Sequence, residues 1–153
     1  MTILTTDSRV NYDPTVDPAL RSWVPGAGVP GTDFPIQNLP FGVFRRAGSH
    51  ESPRVGIAIG DCILDIAACL AAGLIGADDP LVRDAAAACA STSLNALMVC
   101  GIDARRALRR AISALLATGA PTNTRQIAEH ALVPQHEAEL FLPAQIGDRK
   151  STL

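Results

Sequence analysis

The chain has 153 residues, 48% of them hydrophobic but only 4% aromatic, and a formal net charge of −2. That length suits one domain, which on folding buries about 70% of the surface exposed by the unfolded chain, and the apolar content excludes disorder. A mildly acidic chain has no overall field to attract nucleic acid or anionic lipid, so any basic surface must be local.

The opening MTILTTDSRVNYDPTV has no basic stretch leading into a long apolar run, so no secretory signal is read there and a cytoplasmic chain is expected. The apolar stretch 66–77 is broken by Gly73 and Gly76 and falls short of the about 20 apolar residues that span a bilayer. Residues 1–31 carry Pro14, Pro18, Pro25 and Pro30 with Gly26, Gly28 and Gly31, which predicts an irregular arm running over a surface. Within the arm, GAGVPG (26–31) satisfies the Gly-x-Gly-x-x-Gly spacing of dinucleotide-binding loops. That motif needs a strand before it and a helix N-terminus after it, whereas Pro25 precedes, Pro30 interrupts and TDFP follows; loop conformation accounts for the glycines.

The next stretch, TDFPIQNLPFGVFRR (32–46), concentrates Phe34, Phe41 and Phe44 around Pro35 and Pro40, and its end, FGVFRR, alternates as a strand does. In RVGIAIGDCILDI, Val55, Ile57 and Ile59 share one strand face, and Cys62, Leu64 and Ile66 alternate again after Gly60-Asp61. Such a pair between two strands predicts a two-residue type II′ hairpin with Gly60 at positive φ.

From Ala67 the pattern is helical and rich in Ala, with breaks at GADDP and around 91–93. The clearest helix is DARRALRRAISALLATG, with Asp103 as N-cap, Ala104, Ala107, Leu108, Ala111, Ile112 and Leu115 on one face, and Gly119 and Pro121 ending it. Arg105, Arg106, Arg109 and Arg110 share the opposite arc. Without interleaved aromatics that arc reads as a solvated face or a contact with acidic groups of another domain, not as a phosphate site. Arginines at a helix N-terminus also oppose its dipole and call for nearby carboxylates. A short helical or turn segment at 124–129 precedes AELFLPAQIGD, which returns to extended structure.

Few residues suggest chemistry. Cys62, Cys69, Cys89 and Cys100 form no Cys-x-x-Cys pair and sit among apolar neighbours, as buried reduced thiols do. His50, His130 and His136 have no metal-ligand spacing and read as surface residues. No Gly-x-Ser-x-Gly elbow occurs. Asp61 and Asp65 flank CIL, but Asp61 belongs to the hairpin turn, so acid/base work by the pair is not expected. Glu137 and Glu139 fall on one side of the last strand, facing solvent. No catalytic, cofactor-binding or metal-ligating residue is expected.

Three segments, GTDFPIQNLPFGVFRR, RVGIAIGDCILDI and LFLPAQIGD, in this order and at these separations, resemble the N-terminal domain of fumarylacetoacetase (fumarylacetoacetate hydrolase) over most of 22–148. The resemblance implies an α+β fold, a small SH3-like β-barrel with attached helices, set before a larger catalytic β-roll domain in a homodimeric enzyme. That enzyme hydrolyses a carbon–carbon bond of 4-fumarylacetoacetate, giving fumarate and acetoacetate in tyrosine and phenylalanine catabolism. Phe34, Leu39, Phe41 and Phe44 would anchor the barrel, Pro35 and Pro40 would fix its extended entry, and Gly42 would permit a close backbone approach or a strand distortion. The implied division is an arm over 1–31, the SH3-like domain over 32–143, and over 144–153 the start of a truncated, otherwise absent catalytic domain.

In the family, the IGD motif continues into Tyr-Thr-Asp-Phe-Tyr, whose Asp, the second counting that of IGD itself, ligates a metal and is followed shortly by a general-base His. This chain ends IGDRKSTL. Aligned from Ile146, the ligand Asp falls on Ser151, the Tyr after it on Leu153, and the His has no counterpart; Asp148 matches the first Asp and is given no ligand role. Serine lacks the carboxylate that Mg²⁺ or Ca²⁺ favours. The expectation is a non-catalytic domain, inactive alone and without a cofactor of its own, whose full-length relatives bind Ca²⁺ or Mg²⁺. Its partner would be the catalytic C-terminal domain of the same enzyme, with no nucleic acid and no membrane involved. The alternative is a free-standing SH3-like protein-binding module presenting the arginine helix or the Pro-rich arm.

Overall fold

The computed structural model describes residues 13–144, so Ile146, Asp148, Ser151 and Leu153 lie outside the described residues. After a 3₁₀ turn over Pro14–Val16 come three strands, β1 (Phe41–Arg46), β2 (Arg54–Ile59) and β3 (Cys62–Asp65). Five helices follow: α1 (Ile66–Ala71), α2 (Pro80–Ala88), α3 (Asn95–Val99), α4 (Ile102–Leu116) and α5 (Thr122–Glu129). Two short strands, β4 (Leu132–Pro134) and β5 (Ala138–Phe141), complete the order, joined by a 3₁₀ turn over Gln135–Glu137. The α+β class holds. The sheet is antiparallel in the order β4-β3-β2-β1-β5 and, among the described residues, open at β4 and β5.

Residues directly opposite one another in an antiparallel pair share a face. Phe41 lies opposite Ile57, Val43 opposite Val55, and Leu64 opposite Ile57, so one face collects the apolar alternation read from the sequence. This face meets the helices: Val43, Val55, Ile57, Ile59 and Leu64 share a core with Leu108, Ile112 and Leu116 of α4. Small residues set the helix spacing, since Ala85 and Ala86 of α2 and Ala104 of α4 are buried where α2 packs on α4. The other face carries a separate small core of Phe44, Ile63 and Val133. The expected barrel anchors therefore divide: Leu39 is in the helical core and Phe41 packs against it, Phe44 centres the small one, and Phe34 is only half-buried.

The hairpin forms as the Gly-Asp signal requires. Ile59 pairs with Cys62, and Gly60 has φ 54°. Leu39 is the one non-glycine residue at positive φ among the described residues, so Asp61 is not, as a type II′ turn demands. Ile66, read as the end of the alternation, instead opens α1, because the Asp65 carboxylate caps the amide of Ala68 at 3.2 Å.

Helix α4 departs from its expected ends. Its N-cap is Gly101, at φ 88°, and Asp103 sits inside the first turn, where its charge still offsets the arginines. Its last helical residue is Leu116, before Gly119, because the arm captures the end. Ser22 bridges to Ala117, Trp23 Nε1 donates to the carbonyl of Leu115 at 2.9 Å, and Ser22 Oγ donates to that of Leu116 at 2.7 Å. Carbonyls that a helix end leaves unpaired are thus satisfied by side chains 92 and 94 residues away in sequence. Pro121, read as a terminator, is the N-cap of α5.

Candidate functional site

The arginine arc does not act as one surface. Arg106 and Arg110 are exposed, whereas Arg109 turns against the chain. Its Nη2 donates to the carbonyl of Gln37 at 2.6 Å, its Nη1 to that of Asn38 at 2.9 Å, and its Nε to Thr15 Oγ1 at 2.9 Å. Within this domain the partners of Arg109 are carbonyls and a hydroxyl. Asp13 is nearby, and its carboxyl titrates below the ordinary value, first because it accepts the Thr15 amide and hydroxyl and then through the fields of Arg109 and Arg110. Sequence patterning places Arg109 on a polar arc but carries no sign of the carbonyls it meets 71 and 72 residues away in the chain.

The glycine loop is structural. Pro25 accepts the Asp61 amide at 3.3 Å, and Phe34 accepts the Gly60 amide at 2.7 Å, so the loop and the segment after it lie directly against the hairpin turn. A Cβ on Gly60 would sit 2.5 Å from Ala27 N, and one on Gly26 would sit 2.6 Å from Asp61 Cγ. Of the motif's glycines, Gly26 thus serves chain-to-chain approach and Gly31 takes a positive φ of 82°, while a Cβ on Gly28 would meet nothing within 4 Å among the described residues.

The two aspartates considered as a pair have separate duties. Asp61 is exposed in the turn, while Asp65 is buried, caps α1 and accepts Arg54 Nε at 2.6 Å. Burial works against the charge of Arg54, yet the bond to Asp65 holds its pKa above the ordinary value. Glu139 pairs with Arg45 at 2.7 Å, and Glu137 and the three histidines are exposed. Cys69 and Cys89 are buried thiols with pKa pushed up to about 12 by desolvation, and Cys62 and Cys100 are half-buried and unpaired. Nothing in this set joins a nucleophile to a base.

The feature that stands out is on the sheet face away from the helices. Across β1, β2 and β3, Gly42 lies opposite Gly56, and Ala58 opposite Ile63. Phe44 and Ile63 lie directly over Gly56, where a Cβ would come within 2.7 Å of the ring. Beside them an open apolar cavity of about 230 Å³ remains, lined by Phe34, Gly42, Phe44, Gly56, Ala58 and Leu140 among others. Gly42, expected to permit a close backbone approach, has nothing within 4 Å of the position its Cβ would take among the described residues.

A family model described as the fumarylacetoacetase N-terminal region matches residues 37–143. The chain belongs to the fumarylacetoacetase N-terminal family. It is 41% identical to a fumarylacetoacetase of Oryza sativa subsp. japonica over 133 residues, covering 84% of this chain and 30% of that protein. It is 36% identical to the Rattus norvegicus fumarylacetoacetase over 121 residues and 38% identical to that of Caenorhabditis elegans over 119, each covering 76% of this chain and 27% of the relative. The chain thus spans less than a third of the length of these fumarylacetoacetases. Among the described residues no three His, Cys, Asp or Glu side chains are grouped to hold a metal ion, and no helix is long and apolar enough to cross a membrane. The donors present do not fit a hard divalent cation, which takes six or more oxygen ligands in the case of Ca²⁺.

Proposed function

We propose that this chain is the non-catalytic N-terminal domain of a fumarylacetoacetase, partnered by a catalytic domain that hydrolyses 4-fumarylacetoacetate to fumarate and acetoacetate. The observation that carries this reading is the placement of the family match. It begins at Gln37, in the turn held by Arg109, and ends at Pro143, two residues beyond β5. The same placement supports the division into an arm over 1–31, a domain over 32–143 and the start of a catalytic domain from 144. Hydrolysis, the Ca²⁺ or Mg²⁺ it uses and the homodimer belong on this reading to the full-length enzyme, with no step assigned to residues 13–144. Four unpaired thiols suit a reducing cytoplasm. The family match gives no support to a free-standing binding module.

The reading includes an SH3-like barrel. Phe44 and Val133 are 1% and 0% exposed on a sheet face whose small core includes no helix residue. A flat five-stranded sheet would leave that face wet, so its burial favours a sheet curled on itself. The edges β4 and β5 are also joined by a single 3₁₀ turn, which suits closure.

The test is a chimera joining residues 1–144 to the part of the Oryza sativa relative that lies beyond the matched region. We expect fumarate release from the chimera and none from the 153-residue chain. A folded chimera without activity, or metal-dependent turnover by the chain alone, would overturn the reading.

A further inference from the structure

We propose that the open cavity at Gly42 is the seat of an apolar side chain from the catalytic domain, so that the small sheet locks the two domains in one orientation. The proposal rests on the N-terminal-domain reading and adds the surface through which the domain works.

Gly42 is the decisive residue. Glycine in the middle of a strand costs stability, and its usual reasons are a positive φ, a bulge or something approaching closely. Gly56, its cross-strand partner, has such a reason in the Phe44 ring. Gly42 has none among the described residues: its φ is not in the positive range, its pairing with Gly56 is regular, and the space above it is empty. The missing side chain leaves room for a group supplied from elsewhere.

The walls define what fits. Phe34, Phe44, Ala58, Ile63 and Leu140 offer hydrocarbon, so an acidic metabolite would lose its hydration for no hydrogen bond. An apolar cavity of about 150 Å³ holds a benzene-sized group. The 230 Å³ here therefore admits one aromatic or branched aliphatic side chain. Leu140 of the lining is 71% exposed, and Leu142, two residues further along the chain, is 85% exposed. The chain path points to the source of the occupant. Leu140 lines the cavity, β5 ends at Phe141, and Leu94 N–H holds the carbonyl of Pro143 at 2.7 Å. In the relatives about 70% of the length lies outside the match, and Leu140 at the cavity stands three residues before Pro143, the last matched residue.

The test uses the chimera and the 153-residue chain, each as such and with Gly42→Val. Valine suits a strand and projects into free space, so the isolated variant is expected to melt at or above the temperature of the unaltered chain. The unaltered chimera should melt in one cooperative transition. Gly42→Val should split it in two, the lower at the melting temperature of the isolated variant. Should Gly42→Val lower the melting temperature of the isolated chain, Leu140→Asp at the exposed rim replaces it, with the same split expected. A single unshifted transition in the variant chimera overturns the proposal, as does dimerisation of the isolated chain that Gly42→Val abolishes, which would assign the cavity to a second copy. An active chimera that melts in two independent transitions without any substitution overturns the docking surface alone. An inactive folded chimera overturns the N-terminal-domain reading beneath it.

Discussion

Arg109 donates to the carbonyl of Asn38 at 2.9 Å, joining the middle of α4 to the Asn-Leu-Pro turn that enters the sheet. The same guanidinium reaches Gln37 and Thr15, so a single planar group orders three segments. The turn needs that support. Leu39 is held at φ 43°, in the left-handed region that costs a bulky side chain about 1–3 kcal/mol, and it is nonetheless 1% exposed. Packing of Leu39 into the core and the two carbonyl bonds of Arg109 together over-determine this conformation.

Arg109→Ala should therefore destabilise the fold by about 1.5–3 kcal/mol, the range of hydrogen bonds made by a charged donor. Arg109→Lys should recover less than half of it, because an ammonium cannot present the same fork to two carbonyls. Arg106→Ala, on the exposed side of the helix, should stay within about 0.5 kcal/mol. Urea unfolding of the three variants decides the matter, and equal losses at Arg106 and Arg109 would remove the special role given to the turn.

Gly60→Val should cost more than the about 1–3 kcal/mol of the left-handed conformation alone. A Cβ there also presses on the backbone of Gly26 and Ala27, which has no side-chain freedom with which to yield. The expected reading is a clear drop in melting temperature. A Gly60→Val chain melting with the unaltered one would argue that the turn and the arm are not packed as described.

How far the sequence revealed this arrangement depends on the range of the forces. The β2–β3 hairpin and the apolar face of α4 were legible because periodicity and turn chemistry act over a few residues. The ends of α4 were not, since Ser22 and Trp23 arrive from the arm to satisfy its last carbonyls. Asp65 could be read as one of two spaced carboxylates but not as a helix cap paired with Arg54, because Arg54 is 11 residues away on the neighbouring strand. Gly42 eludes the sequence for a related reason: a strand glycine suggests a close neighbour, and only the three-dimensional arrangement reveals whether one is present.

The carboxyl of Asp13 supplies a test at acid pH. Its folded pKa lies below the ordinary 3.8, first through the Thr15 amide and hydroxyl and then through Arg109 and Arg110. A depressed pKa gives stability that is present above the unfolded pKa and lost as pH falls through the folded one. The group is largely solvated, so the stability effect is small and the titration itself is the better measure. An NMR titration should place Asp13 below 3.8, and Arg109→Ala should raise it without restoring the ordinary value, because the Thr15 bonds remain. Full restoration in that variant would show that charge, not hydrogen bonding, dominates.

The buried thiols give the opposite sign at alkaline pH. Cys69 and Cys89 are both fully buried, and desolvation lifts their pKa from 9.0 to about 12. Above pH 9 the unfolded chain ionises these groups while the folded chain keeps them protonated, so unfolding gains free energy as pH rises. Each thiol should contribute a loss of about 1.4 kcal/mol per pH unit between the unfolded and folded values. Urea unfolding at pH 8 and pH 10.5 should show the loss, and a Cys69→Ala, Cys89→Ala double variant should show less of it. The same burial keeps the thiolate, the reactive form, scarce. A thiol reagent at pH 8 should therefore reach Cys62 and Cys100 in the native chain and all four cysteines only in denaturant. Rapid native labelling of Cys89 would contradict its place between α2 and the sheet, where its backbone carbonyl accepts the Val55 amide at 2.9 Å.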